Sequence, residues 1–142
     1  MNDINQINSK PKLILYVEDE DVQAKIFSKI IENEVSSYGF KVVIFKSGDD
    51  FIDLINSLHS KYKISEFGLI LLDLSMHDVS GLAMLKEFKA KSIKTPIAIL
   101  TAREDDALKS KALSSGANDY FVKGKDIEEL SRLKNFILKS VN

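Results

Sequence analysis

Five short apolar runs punctuate the chain, and the polar residues that follow them are the informative ones. Lys12 to Val17 (KLILYV) has strand length and no helical gap, and Glu18, Asp19 and Glu20 end it. Phe40 to Phe45, Leu69 to Leu72, Ile97 to Leu100 (opened by Pro96) and Asp119 to Val122 are the other runs. The third is apolar on both faces, as a parallel strand covered by helices on each side requires. Between the runs the spacing turns helical. Val22, Ile26, Phe27, Ile30, Ile31 and Val35 form one face after Asp21. Ser47 is placed to cap a helix reaching Ser60, with Phe51, Leu54, Ile55 and Leu58 inward, and Lys61 to Phe67 reads as a linker. Leu82, Leu85 and Phe88 mark a helix from Gly81 to Lys91. Ala107, Leu108, Lys111 and Ala112 mark an Ala-rich helix from Glu104 to Ser114, expected to be the least firmly packed. Ile127, Leu130, Leu133, Phe136 and Ile137 mark the last, from Asp126 to Ser140. Gly39 suits a left-handed stop, and Gly116 caps the fourth helix.

A strand and a helix thus alternate five times. Right-handed crossovers turn that alternation into an α/β, doubly wound, five-stranded parallel sheet with helices on both faces, order 2-1-3-4-5. Residues 1–11 are expected to form a flexible tail and residues 12–142 a single domain, with no room for a further output domain. The length of 142 residues supports one core, and 44% hydrophobic with 29% charged residues excludes a disordered or low-complexity chain. Lys and Arg number 20 against 21 Asp and Glu, which argues against direct nucleic-acid binding. Without Cys there is no disulfide framework or thiol nucleophile. Neither a signal-type run nor a membrane-length apolar stretch occurs, so a cytoplasmic protein with no membrane contact is expected.

Glu18 and Asp19 follow the first strand, Asp73 the third, Thr101 the fourth and Lys123 the fifth. In an open α/β sheet these carboxyl ends face one crevice. Three crowded carboxylates repel, and a hard divalent cation such as Mg²⁺ together with one Lys relieves them. Asp73 would then serve as a carboxylate nucleophile toward a phosphoryl group, Lys123 would neutralise its oxygens, and Thr101 would donate a hydrogen bond. Taken singly, each residue also has a plainer role as a solvated loop residue or helix cap.

LILYVEDE (Leu13 to Glu20), LILLDLSMHDVSGL (Leu69 to Leu82), PIAILTA (Pro96 to Ala102) and GANDYFVKG (Gly116 to Gly124) together resemble the receiver domains of two-component response regulators. The resemblance covers residues 12 to 140 and implies the flavodoxin-like receiver fold. It implies Asp73 as the phosphorylated residue. Asp19, Asp73 and the Ser75 carbonyl would be direct Mg²⁺ ligands, with Glu18 acting through water. It further implies Thr101 as switch hydroxyl, Tyr120 as a switch aromatic that turns inward on phosphorylation, and Lys123 as the phosphate contact. Ser75 and Arg103 occupy positions that tune the acyl-phosphate lifetime; Arg103 either shields the phosphoryl group or lies on the surface. Two positions depart from the pattern. His77 stands where the family usually has Pro, and Gly124 follows Lys123 where it usually has Pro.

The implied function is a phosphoacceptor switch. It would be served by a sensor histidine kinase or histidine phosphotransfer protein and read by a downstream effector protein or output domain. Three other classes share parts of the pattern. A receiver that binds partners without phosphorylation would not need Asp19, Asp73, Thr101 and Lys123. A metal-dependent phosphohydrolase would need a second acid–base, for which Asp78 is placed, and a cap that the chain has no segment to build. A flavin-binding domain would bring its phosphate against three carboxylates.

Overall fold

The computed structural model describes residues 10–58, 61–76 and 80–140. Most of the expected tail, His77, Asp78 and the expected helix end at Ser60 lie outside the described residues. The strands are β1 (Lys12–Val17), β2 (Phe40–Phe45), β3 (Phe67–Leu72), β4 (Ile97–Thr101) and β5 (Asp119–Val122). The helices are α1 (Asp21–Val35), α2 (Gly48–Ile55), α3 (Gly81–Ala90), α4 (Asp106–Ser114) and α5 (Ile127–Ser140). All strand pairs are parallel, in the order β2-β1-β3-β4-β5, as the alternation predicts.

The period of two along each strand divides the core into two layers. Leu15, Val17, Ile70, Leu72, Ile97 and Ile99 face Phe51 and Leu54 of α2 and Leu85 and Phe88 of α3. Ile14, Tyr16, Leu69, Leu71, Leu100 and Phe121 face Ile31 and Val35 of α1 and Leu133 and Ile137 of α5. Helix α4 buries only Ala112, which matches its weak apolar face. The edges of the sheet are covered by side chains of neighbouring helices. Val122 N–H donates to Glu129 and Arg132 donates to the Tyr120 carbonyl on β5, while Val42 N–H donates to Glu32 on β2.

Several local expectations need correction. The buried face of α1 runs through Ala24, Ser28, Ile31 and Val35, so Val22 and Ile26 are 62% and 48% exposed. Ser28 is tolerated inside because its hydroxyl donates to the Lys25 carbonyl at 3.0 Å. On α5, Ile127 sits at the first position and is 82% exposed. Helix α2 is capped by Ser47 as expected, but it stops at Ile55 and leaves Leu58 exposed. Ser57 takes a left-handed φ of 59°, which turns the chain out of the helix. Asp105 caps α4 by accepting from Leu108 N–H at 3.1 Å, so that helix begins at Asp106 rather than Glu104. β3 starts at Phe67, two residues before the expected Leu69, because a 3₁₀ turn over Ile64–Glu66 shortens the linker.

Candidate functional site

Parallel pairing brings the carboxyl ends of the strands to one edge of the sheet. Two backbone bonds extend the ladders one residue beyond the strands. Asp73 N–H donates to the Val17 carbonyl at 3.1 Å, and Lys123 N–H donates to the Thr101 carbonyl at 2.7 Å. They place Asp73 alongside Glu18 and Lys123 alongside Thr101.

The Lys123 ammonium joins the two halves. It donates to Asp73 Oδ2 at 2.8 Å and to Gln23 Oε1 at 2.7 Å, and it forms a close ion pair with Glu18 Oε1. The side chains of Lys123 and Glu18 are each 2% exposed and that of Asp73 is 7% exposed. The second Asp73 oxygen, Oδ1, accepts from Ser75 N–H at 2.9 Å. Glu18 is held by Tyr16, whose hydroxyl donates to it at 3.3 Å, and by Glu20 N–H at 3.2 Å.

These contacts set the protonation of the pair. Burial raises the Glu18 carboxyl above its ordinary value, and the neighbouring Asp73 pushes it the same way against the pull of Lys123. Burial acts on Asp73 too, but hydrogen bonds from Glu18, Lys123 and the Ser75 backbone outweigh it and hold Asp73 below the usual carboxylate range. Asp73 is therefore the more acidic of the two. Burial, followed by the charges of Glu18 and Asp73, raises the Tyr16 phenol, which stays a neutral donor.

Thr101 is 1% exposed, and its hydroxyl oxygen accepts from Arg103 N–H at 3.4 Å. The Arg103 carbonyl in turn accepts from the Tyr120 hydroxyl at 2.7 Å. Tyr120 is turned inward, at 2% exposure. Burial is also the main cause of its raised phenol pKa. The Arg103 guanidinium lies at the surface, 58% exposed, 3.3 Å from Asp105. Ser75 is exposed and Asp19 is half-buried.

Glu18, Asp73, Thr101 and Lys123 therefore meet at one edge. Among the described residues no group of three or more His, Cys, Asp or Glu side chains is gathered at metal-holding distance; Lys123 stands between Glu18 and Asp73. Sequence reasoning missed Gln23, Phe27 and Tyr16. The Phe27 and Tyr16 rings lie 5.4 and 5.8 Å from the ammonium. In the sequence Gln23 and Phe27 offered only an i, i+4 pair on the first helix, with nothing to tie them to Lys123.

Gly81 matters to the same loop. A Cβ there would run into Leu74 Cα and lie 3.0 Å from the Asp73 carbonyl oxygen. Gly81→Ala is expected to cost about 1–3 kcal/mol, the usual penalty for overpacking. It should also shift the Asp73 and Ser75 amide resonances, while Gly124→Ala, at φ +65° but in open space, should leave those two unmoved. Chemical denaturation and amide spectra of the two variants check this.

The response regulator receiver domain model matches residues 14–134, and the chain belongs to that family. It is 31% identical to Protein RcaC of Microchaete diplosiphon over 130 residues, covering 91% of this chain and 18% of RcaC. It is 33% identical to the cell cycle transcriptional regulator CtrA of Caulobacter vibrioides over 110 residues, covering 78% of this chain and 43% of CtrA. The chain thus spans less than half the length of these curated relatives. Some relatives are transcriptional regulators, so the expectation of no direct nucleic-acid binding concerns this stretch of chain alone. Among solved structures, the receiver domain of Francisella response regulator 1452 aligns at TM-score 0.68 and 25% identity, covering 92% of this chain and 99% of that one. The signal receiver domain of a LuxO repressor protein from Vibrio parahaemolyticus aligns at TM-score 0.72 and 25% identity, over 92% and 90%. No helix among the described residues is long and apolar enough to cross a membrane.

Proposed function

We propose that this receiver domain accepts a phosphoryl group on Asp73 from a phosphohistidine of a sensor kinase or phosphotransfer protein, and that the modification changes its contacts with an effector. The observation that carries this reading is an ionised, nearly buried carboxylate with one oxygen held by a backbone N–H and the other by a buried ammonium. A carboxylate so held is oriented for attack and poorly exposed to competing reactions.

In the transfer, an Asp73 oxygen forms the new P–O bond as the P–N bond to the donor imidazole breaks. The bond's electron pair stays on the imidazole nitrogen. Lys123, freed from the attacking oxygen, turns its N–H to the phosphoryl oxygens and compensates their charge. Glu18 and Asp73 share one ammonium, and Asp19 follows Glu18 in the chain, so the donor set is rich in hard oxygen, which fits Mg²⁺. Asp19, Asp73 and the Ser75 carbonyl would hold that ion, with Glu18 through water, and it would supply the remaining charge neutralisation.

A phosphoryl group adds about two negative charges. Thr101 is drawn toward it, which breaks the hydroxyl's contact with Arg103 N–H. Because the Arg103 carbonyl holds Tyr120, the disturbance passes along the β4–α4 loop to α4, β5 and α5. Ser75 and Arg103 tune how fast water removes the phosphoryl group; for Arg103 to shield it, the guanidinium must leave Asp105. Val22, Ile26 and Ile127 expose apolar surface beside the site, where a docking phosphodonor would cover it. The cytoplasm is the expected compartment for such a kinase-driven switch.

Incubation with a phosphohistidine donor and Mg²⁺ tests the reading. Wild type is expected to gain acid-stable, alkali-labile phosphate, and Asp73→Asn none. Equal stable labelling of both proteins would overturn it.

A further inference from the structure

We infer that α1 positions the Lys123 ammonium, with Gln23 and Phe27 as positioning residues one helical turn apart. The inference deepens the phosphoacceptor reading, although the grip itself stands on geometry alone.

The bond from Lys123 N–H to the Thr101 carbonyl fixes where the residue leaves the sheet, but not where its ammonium goes. Gly124 follows it at φ +65°, with nothing within 4 Å of the place a Cβ would occupy, so neither a side chain nor a packed neighbour stiffens that turn. A four-carbon stem adds further freedom. The head must therefore be fixed by what it touches. An ammonium has three N–H donors and no acceptor. Here the three go to Glu18 Oε1, Asp73 Oδ2 and Gln23 Oε1. Because the ammonium can only donate, the Gln23 amide must present its oxygen.

Of these three acceptors, two change when the site works. On the phosphoacceptor reading, Asp73 would become the phosphorylated carboxylate, and Glu18 would help to hold a bound cation. Gln23 is neutral and takes part in neither event, so it is the one acceptor that stays. Four residues along α1, the Phe27 ring lies 5.4 Å from the same nitrogen, close enough for a cation–π contact. Both grips come from one rigid helix whose other side is anchored in the core by Ala24 and Ile31. Lys123 is thus held toward Asp73 by α1, from 100 residues away in sequence.

Three variants in protein carrying ¹⁵N-lysine test the inference, in two arms. In the first, without metal or phosphoryl mimic, the Lys123 ammonium resonance is followed in wild type, Gln23→Met, Gln23→Glu and Phe27→Leu. A protected ammonium signal is expected in wild type and in Gln23→Glu, which keeps an acceptor. It should broaden or vanish in Gln23→Met and weaken in Phe27→Leu, while the backbone amide spectra of all three variants keep the pattern of the folded domain. In the second arm, beryllofluoride with Mg²⁺ serves as the phosphoryl mimic, and Gln23→Met is expected to weaken its binding about tenfold, the loss of one hydrogen bond to a charged group. An unchanged Lys123 signal in Gln23→Met, or no protected signal in wild type, overturns the positioning role. If the signal responds as expected but wild type fails to bind the mimic, the positioning role stands and the phosphoacceptor reading falls.

Discussion

Lys123→Ala should destabilise the domain by about 3–5 kcal/mol near neutral pH, the cost of breaking a buried ion pair from one side. The ammonium lies between Glu18 and Asp73, and all three side chains are almost fully enclosed. Without it, two buried carboxylates face each other with no cation to share. Their folded-state pKa values then rise above the unfolded values of about 4. A group raised in this way contributes its stability fully below its unfolded pKa and loses it as pH climbs through the folded pKa. The deficit of Lys123→Ala should accordingly be small near pH 4, grow as pH rises, and reach its full size near pH 7. Wild type should not show this growth for Asp73, because its own pKa is depressed and its contribution is retained above pH 4. Adding Glu18→Gln to Lys123→Ala should recover part of the loss, since the two residues are directly coupled. Urea unfolding at several pH values measures all of this. A deficit of equal size at every pH would mean that lost packing, not lost charge, dominates.

Phe88→Ala should cost about 3–5 kcal/mol at any pH. Its ring stacks against Phe51 with centroids 6.2 Å apart and planes 17° from parallel, and neither ring is exposed. This contact joins α2 to α3 beneath β3, the strand that carries Asp73. Truncating either ring opens a cavity that the sheet on one side and two helices on the other cannot collapse to fill. Phe51→Ala should cost a similar amount, and the double variant less than the sum, because the second truncation removes a partner already lost. Denaturant midpoints with unchanged slopes are the measurement. Additive losses would mean that the two rings pack independently.

The contrast between these sites explains how much of the protein was legible in its sequence. Strands could be read because their two-sided apolarity is a local pattern, and the end of each strand fixed which polar residues reach the crevice. Glu18, Asp73, Thr101 and Lys123 meet for that reason. Helix faces were less legible. Val22 and Ile26 fit a helical repeat as well as Ala24 and Ser28 do, and only the seating of α1 on β1 and β2 decides which stripe is buried. The end of α2 was hidden because Ser57 carries no sequence signal for its left-handed backbone. Gln23 and Phe27 could not be assigned to the site, since their link to Lys123 exists only once α1 is seated beside α5 on one face of the sheet. The inward Tyr120 was hidden too: its seat depends on packing in the core and on its bond to the Arg103 carbonyl, neither of which is local in sequence.

The measurement that bears most directly on the central claim is the location of the acyl phosphate. Protein incubated with a phosphohistidine donor and Mg²⁺ is reduced with borohydride, which converts a phosphorylated aspartate to homoserine, and is then digested and sequenced by mass spectrometry. Homoserine at position 73, and at no other Asp, is the expected result. Homoserine at Asp19 or another acidic residue, or none anywhere under conditions in which the donor loses its phosphate to a control receiver, would contradict it.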